Sequence, residues 1–320
     1  MRLPRLSRTL RQHRWRRVGR HPCNASRIVF PVVVLIVILT ALCSPSGAEQ
    51  VPRPPGDAPL RFRDEVFKRI AVDRGLPYGS APGRSGEAEQ LLLDLYRPRG
   101  DQRARRPAMV WVHGGGFASG SRSHETLRAL ARGSARRGYV AVSVDYRILA
   151  PEGCDVSRPG CRAIAFEDQH DVQAAVRWLR RHADRYRIDP TRIAVGGTSV
   201  GGILSYLVAT RAGDPGTSGN PGYSSRVAAF VSIAGGFPGG GGYPNKGDAP
   251  GLLFHGTSDR TTPFSWSVDA ARALRAAEVG ATLQLIPRGQ HVAYEVYRER
   301  YDQQTAWFLY RALRLRPANR

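Results

Sequence analysis

The sequence predicts an α/β fold, a doubly wound and mainly parallel sheet with little or no lid domain, on the strength of two alternating patterns. Short apolar runs recur at residues 91–96, 108–113, 139–145, 193–196, 227–234, 252–255 and 282–286. Several are unbroken Val, Ile, Leu or Ala, as strands buried on both faces require. Between them lie stripes with helical spacing: Leu127, Leu130 and Ala131, then Val172, Ala175, Val176 and Leu179, and finally Phe308, Leu309 and Ala312. A chain of 320 residues with 42% hydrophobic composition can bury one large core of this kind. Chemistry in such a sheet collects at the C-terminal ends of the strands.

The chain opens with nine arginines and no acidic residue in its first 27 positions. Residues 28–42 are almost wholly apolar and run into Ser46-Gly47-Ala48, small side chains that suit a signal peptidase. Residues 1–48 therefore read as a signal peptide, with an uncleaved N-terminal anchor as the alternative. The apolar run, interrupted by Pro31, is shorter than the ~20 residues that span a bilayer. Residues 49–60 read as a Pro-rich linker and 61–320 as the catalytic domain. The expected product is secreted, extracellular or in the cell envelope, and meets a membrane only if the leader is retained.

The formal charge of +22 falls to +13 once those nine arginines are set aside (22 minus 9). Lys68 and Lys246 are the only lysines, so the excess is arginine spread along the chain. With no basic helix and no aromatic-interleaved basic cluster, nucleic-acid binding is not expected. Cys23 and Cys43 fall within the leader, which leaves Cys154 and Cys161 in a Pro/Gly-rich loop. In an oxidising compartment that pair is expected to form a local disulfide, and no neighbouring His or Cys suggests a metal site.

Residues 197–202, Gly-Thr-Ser-Val-Gly-Gly, follow the run 193–196 and precede a helix-compatible stretch. That is the strand, sharp turn and helix setting in which G-x-S-x-G presents a nucleophile, here Ser199. A serine hydroxyl needs a base, and the base needs an acid to fix its tautomer, in the chain order Ser, Asp or Glu, His. His255 precedes Asp259 and so reads as a structural strand-end histidine. His291 follows the next strand and reads as the base, with Asp259 as its acid. Asp248 and Asp269 fit that role less well, one lying before a strand and the other inside a helix. Upstream, His113-Gly114-Gly115-Gly116-Phe117 follows the run 108–112 and offers uncovered backbone N–H groups for a developing oxyanion.

On these motifs the chain resembles the α/β-hydrolase superfamily, and within it the bacterial carboxylesterases of the hormone-sensitive-lipase-like and feruloyl-esterase-like groups, from about Leu91 onward. Residues 145–152, Asp-Tyr-Arg-Ile-Leu-Ala-Pro-Glu, are similar to a segment of the lipase-like group with one residue inserted, and suggest that Asp145 and Arg147 tether loops under the oxyanion turn. Thr198 and Val200 depart from that group, and the surroundings of Asp259 resemble the feruloyl-esterase style. The resemblance implies an oxyanion hole formed by Gly115, Gly116 and the N–H of Val200. It implies hydrolysis of carboxylic esters with no metal or organic cofactor, and an open cleft together with export suits esters small or attached to polymer, including acetyl or feruloyl esters of external polysaccharide. The alternative is a serine peptidase resembling the prolyl-oligopeptidase catalytic domain. Only 60 residues separate Ser199 from Asp259, so an open cleft is expected. The sequence leaves the oligomeric state open.

Overall fold

The structure is a computed structural model that describes residues 59–292 and 294–315. The leader expected over 1–48 and nearly all of the linker expected over 49–60 lie outside the described residues. The strands are β1 (Ile70–Pro82), β2 (Ala88–Pro98), β3 (Arg106–Val112), β4 (Val140–Val144), β5 (Ile188–Thr198), β6 (Ala229–Ile233), β7 (Gly251–Gly256) and β8 (Ala281–Ile286). They form one sheet in the order β1-β2-β4-β3-β5-β6-β7-β8. The β1–β2 and β2–β4 pairs are antiparallel, and the strands from β4 to β8 in that order are parallel. The seven apolar runs in the sequence fall in β2 to β8.

The helices are α1 (Glu125–Arg137), α2 (Pro159–Arg181), α3 (Ala183–Tyr186), α4 (Val200–Thr210), α5 (Ser265–Ala276) and α6 (Tyr294–Ala312). Every residue of β3 is buried, and its two faces serve different cores. Met109 and Trp111 join Leu127 of α1 and Leu309 of α6 on one side. Val110 and Val112 join Val176 of α2 and Leu204 of α4 on the other. Strand residues alternate in direction, so a sheet covered on both faces demands apolar side chains at consecutive positions. Each large one is worth about 1.5–3 kcal/mol when fully buried.

Local stops are equally physical. Helix α1 ends at Gly138, whose φ of 106° suits glycine, with the N–H groups of Gly138 and Tyr139 closing onto Ala135 and Ser134. Strand β1 escapes the period-2 pattern because its pairing with β2 slips between Asp73 and Leu76 and again between Pro77 and Gly79. It is an edge strand, where proline and bulges are tolerated.

Two ion-pair systems hold the loops beyond β3 and β4. Arg122, just before α1, bonds Asp145 and reaches Asp94 at 3.0 Å, while its N–H donates to Asp145 at 2.6 Å. Arg147 donates through its backbone N–H (3.0 Å) and Nε (2.8 Å) to Asp171 of α2, whose other oxygen accepts from Ser218 at 2.6 Å. Asp145 and Arg147 thus have the tethering role expected of them.

Beside Arg147 lies Asp168, fully buried, with neither carboxyl oxygen hydrogen-bonded among the described residues. Burial, then the nearby Asp171 carboxylate, push its carboxyl well above the usual range, opposed in part by Arg147. A raised carboxyl pKa costs stability above the unfolded-state value near 3.8, and that cost vanishes below it. Asp168→Asn should therefore raise the melting temperature at pH 7.5 by ~3 °C or more, with the gain shrinking towards pH 4. Calorimetry across that range tests this. A loss of stability at pH 7.5 would mean that the carboxylate has a stabilising partner.

Candidate active site

Ser199 stands between β5 and α4 with φ 55° and ψ −119°. A side chain there is strained, and the neighbours show why the chain accepts it. A Cβ on Gly197 would lie 2.4 Å from the Val112 carbonyl oxygen, and one on Gly201 only 2.0 Å from it. The two glycines let β5 and α4 close onto the end of β3. The Ser199 N–H donates to Ile233 of β6 at 2.8 Å, which fixes the turn from the other side.

Asp259 and His291 come from the loops after β7 and β8. Those loops are stitched together by Thr257 N–H to Ile286, Ser258 N–H to Gly289, both at 3.0 Å, and Arg288 N–H to the Thr257 hydroxyl at 2.9 Å. The result is one hydrogen-bonded chain: Ser199 Oγ lies 3.0 Å from His291 Nε2, and His291 Nδ1 lies 2.7 Å from Asp259 Oδ2. A carboxylate can only accept, so Nδ1 carries the proton and Nε2 is free to accept from the serine. Burial alone would raise the Asp259 carboxyl. Hydrogen bonds from His291 and from the N–H groups of Thr262 and Thr261 outweigh that and hold it below the usual range.

Among the competing residues, Asp248 accepts from the N–H of Asn245, and Asp269 is engaged by Gly239 and Arg272. Neither reaches His291. His255 does not touch the serine either, yet it is more than the strand-end residue the sequence suggests. Its Nε2 lies 3.1 Å from Asp259 Oδ2 and 2.9 Å from the Thr262 carbonyl, two acceptors that require a proton on that nitrogen. Nδ1, 2.7 Å from the Ser267 hydroxyl, accepts from it. Burial lowers the His255 pKa, with hydrogen bonds to Thr262 and Asp259 opposing, so the ring is a neutral donor. The i, i+4 spacing of His255 and Asp259 across a strand end is the signal in the sequence that could have found this bond.

Gly115, Gly116 and Phe117 all have positive φ and form the turn after β3. Among the described residues the N–H groups of Gly115, Gly116 and Val200 have no acceptor. The turn is backed by Tyr146, whose ring stacks on His113 with centroids 4.2 Å apart, and by Ala150, whose N–H reaches the Phe117 carbonyl at 3.2 Å. Ser199, His291 and the glycine turn line a cleft of about 840 Å³, with Val156, Ile203 and Trp266 on its apolar side and Arg260 and His124 among its polar lining. Cys154 also lines it and is disulfide-bonded to Cys161 of α2.

Residues 93–235 match the family model BD-FAE, a span that includes the glycine turn and Ser199 but not Asp259 or His291. The chain is similar to Esterase LipC of Mycobacterium tuberculosis (strain ATCC 25618 / H37Rv), 33% identical over 57% of this chain and 40% of that protein. Esterase LipI of the same organism is 39% identical over 49% of this chain and 51% of its own. Arylacetamide deacetylase of Oryctolagus cuniculus is 36% identical over 36% and 27%. The chain thus spans about half or less of the length of these relatives. Among solved structures, Thermogutta terrifontis esterase 2 phosphorylated by paraoxon aligns with a TM-score of 0.63 at 23% identity, over 79% of this chain and 97% of that one.

The bond from His255 to Asp259 generates a test. His255→Leu removes a hydrogen bond to a charged group, about 1.5–3 kcal/mol, and should lower kcat/KM for p-nitrophenyl acetate by one to two orders of magnitude. With one donor gone, the carboxylate stabilises an imidazolium more strongly, so the acidic limb of the pH–rate profile should move to higher pH. His255→Gln keeps an N–H donor at similar reach and should recover most of both effects. Equal losses in the two variants with an unmoved limb would reduce His255 to a packing residue.

Proposed function

We propose that this chain, an α/β-hydrolase by its fold, is a serine carboxylesterase acting through an acyl-enzyme. The observation that carries the reading is the chain of hydrogen bonds from Ser199 through His291 to Asp259, opening on a cleft beside backbone N–H groups that have no acceptor among the described residues. Ser199 Oγ attacks the ester carbonyl carbon while its proton passes to His291 Nε2. The carbonyl oxygen becomes an oxyanion held by the N–H groups of Gly115, Gly116 and Val200. Collapse breaks the ester C–O bond, and the departing alcohol takes the proton from His291. Water then attacks the acyl-enzyme, His291 takes its proton, and return of that proton to Ser199 Oγ frees the acid. Asp259 orients His291 and balances the imidazolium charge.

The substrates we infer are acetyl or feruloyl esters carried on external polysaccharide, alongside smaller soluble esters. Support comes from the cleft volume of about 840 Å³, which falls in the usual range for ligand sites. The export signal read over residues 1–48 points the same way. The Cys154–Cys161 bridge ties the cleft lining to α2, which suits an oxidising location.

Ser199→Ala should abolish hydrolysis of p-nitrophenyl acetate, by roughly 10⁴-fold or more, together with labelling by a fluorophosphonate probe. Labelling retained in that variant would remove Ser199 from the mechanism. Mild reduction of the disulfide should raise KM for feruloyl esters more than for acetate while leaving the melting temperature nearly unchanged, since so small a loop contributes at most ~3 kcal/mol. An equal loss on both substrates would take the bridge out of the substrate rim.

A further inference from the structure

At the far end of the sheet from Ser199, a second cavity of about 730 Å³ is lined by Arg97, Arg99, Arg106, Arg185 and Arg187. The acidic side chains in its lining are Asp73 and Asp101. Both are already committed. Asp73 pairs with Arg97 at 3.1 Å. The Asp101 side chain, 2% exposed, pairs with Arg61 and accepts from the N–H of Arg103 at 3.0 Å. Arg99, Arg185 and Arg187 are exposed and have no carboxylate partner among the described residues.

Arg106 is the decisive residue. It is 95% buried at the start of β3, yet its guanidinium is poorly satisfied. Nη2 donates to the Tyr186 carbonyl at 3.3 Å, Nη1 forms a 3.8 Å ion pair with Asp101 beyond hydrogen-bonding range, and Nε, itself buried, has no hydrogen-bond partner among the described residues. A buried charge left this incomplete is expensive unless something else neutralises it. Burial disfavours its charged form; Asp101 opposes this, while the fields of Arg187, Arg61 and Arg97 add to it. Five arginines against two carboxylates leave the positive potential of the cavity only partly compensated, and a concave surface concentrates it.

We infer that this cavity binds a small multivalent oxyanion, a ligand bearing two or more phosphate groups. Guanidinium forks match phosphate oxygens in pairs, and one arginine would serve a single charge. Here side chains from the β2–β3 connection and from the α3–β5 junction converge on one hollow of small-molecule size. The general arginine excess of the chain does not account for a buried member at such a hollow. The seven residues of β3 separate the cavity from the glycine turn by roughly 20 Å, so the inference stands apart from ester hydrolysis.

Titration calorimetry of the full chain with inorganic pyrophosphate at low salt is the test. One saturable site per chain is expected, with affinity falling about tenfold in Arg99→Ala and again in Arg187→Ala, and weakening as salt is added. Arg128→Ala, an equal charge change on α1, should leave binding unaltered, and all three variants should hydrolyse p-nitrophenyl acetate at the parental rate. Arg106→Met should abolish binding where it folds, but the exposed pair decides the matter if it does not. Vesicles containing diacylglycerol pyrophosphate, whose headgroup carries two phosphates, distinguish the source of the phosphate. Association lost in the double variant and competed by pyrophosphate assigns a lipid headgroup, and pyrophosphate binding without association assigns a soluble ligand. Absent saturable binding, or equal binding in the Arg99, Arg187 and Arg128 variants, would overturn the inference.

Discussion

The backbone conformation of Ser199 is the constraint on which the site rests. A positive φ at a residue with a side chain costs of order 1–3 kcal/mol and persists only where the surroundings over-determine it. Here they do so from three strands at once: β5 leads in, β6 accepts the Ser199 N–H, and the last carbonyl of β3 occupies the space that side chains on Gly197 and Gly201 would need. Relaxing the turn would disturb the sheet and α4, whose residues are all buried. The strain is thus coupled to the core, and the serine is held at the strand ends without depending on a mobile loop.

The neighbouring loops are placed by charge. Asp145, Tyr146 and Arg147 are consecutive, and their side chains diverge: Asp145 bonds Arg122 beyond the glycine turn, Tyr146 stacks against His113, and Arg147 reaches into α2. The Arg147–Asp171 pair is buried and the Arg122–Asp145 pair partly exposed, and neither kind contributes much net stability, because desolvation or solvent screening offsets much of the attraction. Their value here is geometric. Removing a partner of the Arg147–Asp171 pair would leave a buried charge uncompensated, while Arg122, through two carboxylates and its own N–H, ties the segment after the glycine turn to the end of β4. Asp168, buried in the same region with neither carboxyl oxygen hydrogen-bonded among the described residues, is the contrasting case, its carboxyl pushed well above the usual range by burial and the Asp171 carboxylate.

Most of this is legible in the sequence wherever burial enforces a pattern. Strands β2 to β8 declare themselves because two-sided burial leaves no room for polar residues, and Ser199, Asp259 and His291 because chain order and strand ends restrict the candidates. Strand β1 is hidden by its bulges and prolines at the sheet edge. His255 is only half legible, because sequence order excludes it as the base but says nothing about a bond to the acid. The arginine cavity is invisible for a different reason: its side chains come from two segments, 97–106 and 185–187, far apart in the chain, and only the sheet brings the end of β2 and the starts of β3 and β5 to one end. Composition shows an arginine excess without its location.

The proposed ester hydrolysis asks one small volume to stabilise an oxyanion and an imidazolium together, and each charge would disturb the other's partners if they were exposed to it. The arrangement separates these demands. Backbone N–H groups, including that of Val200 at the start of α4, lie on the carbonyl side of Ser199, where a helix N-terminus also favours negative charge. The carboxylate lies behind His291, its side chain wholly inaccessible and capped by four donors: His291, His255, Thr261 and Thr262. Those donors spread its charge, so it supports the imidazolium at contact while repelling the oxyanion little at longer range. The arginines at the other end of the sheet are roughly 20 Å away by strand length, more than twice the ~8 Å screening length at physiological salt. Charge can therefore vary there without altering the chemistry at Ser199, which is the physical condition for one sheet to carry two independent sites.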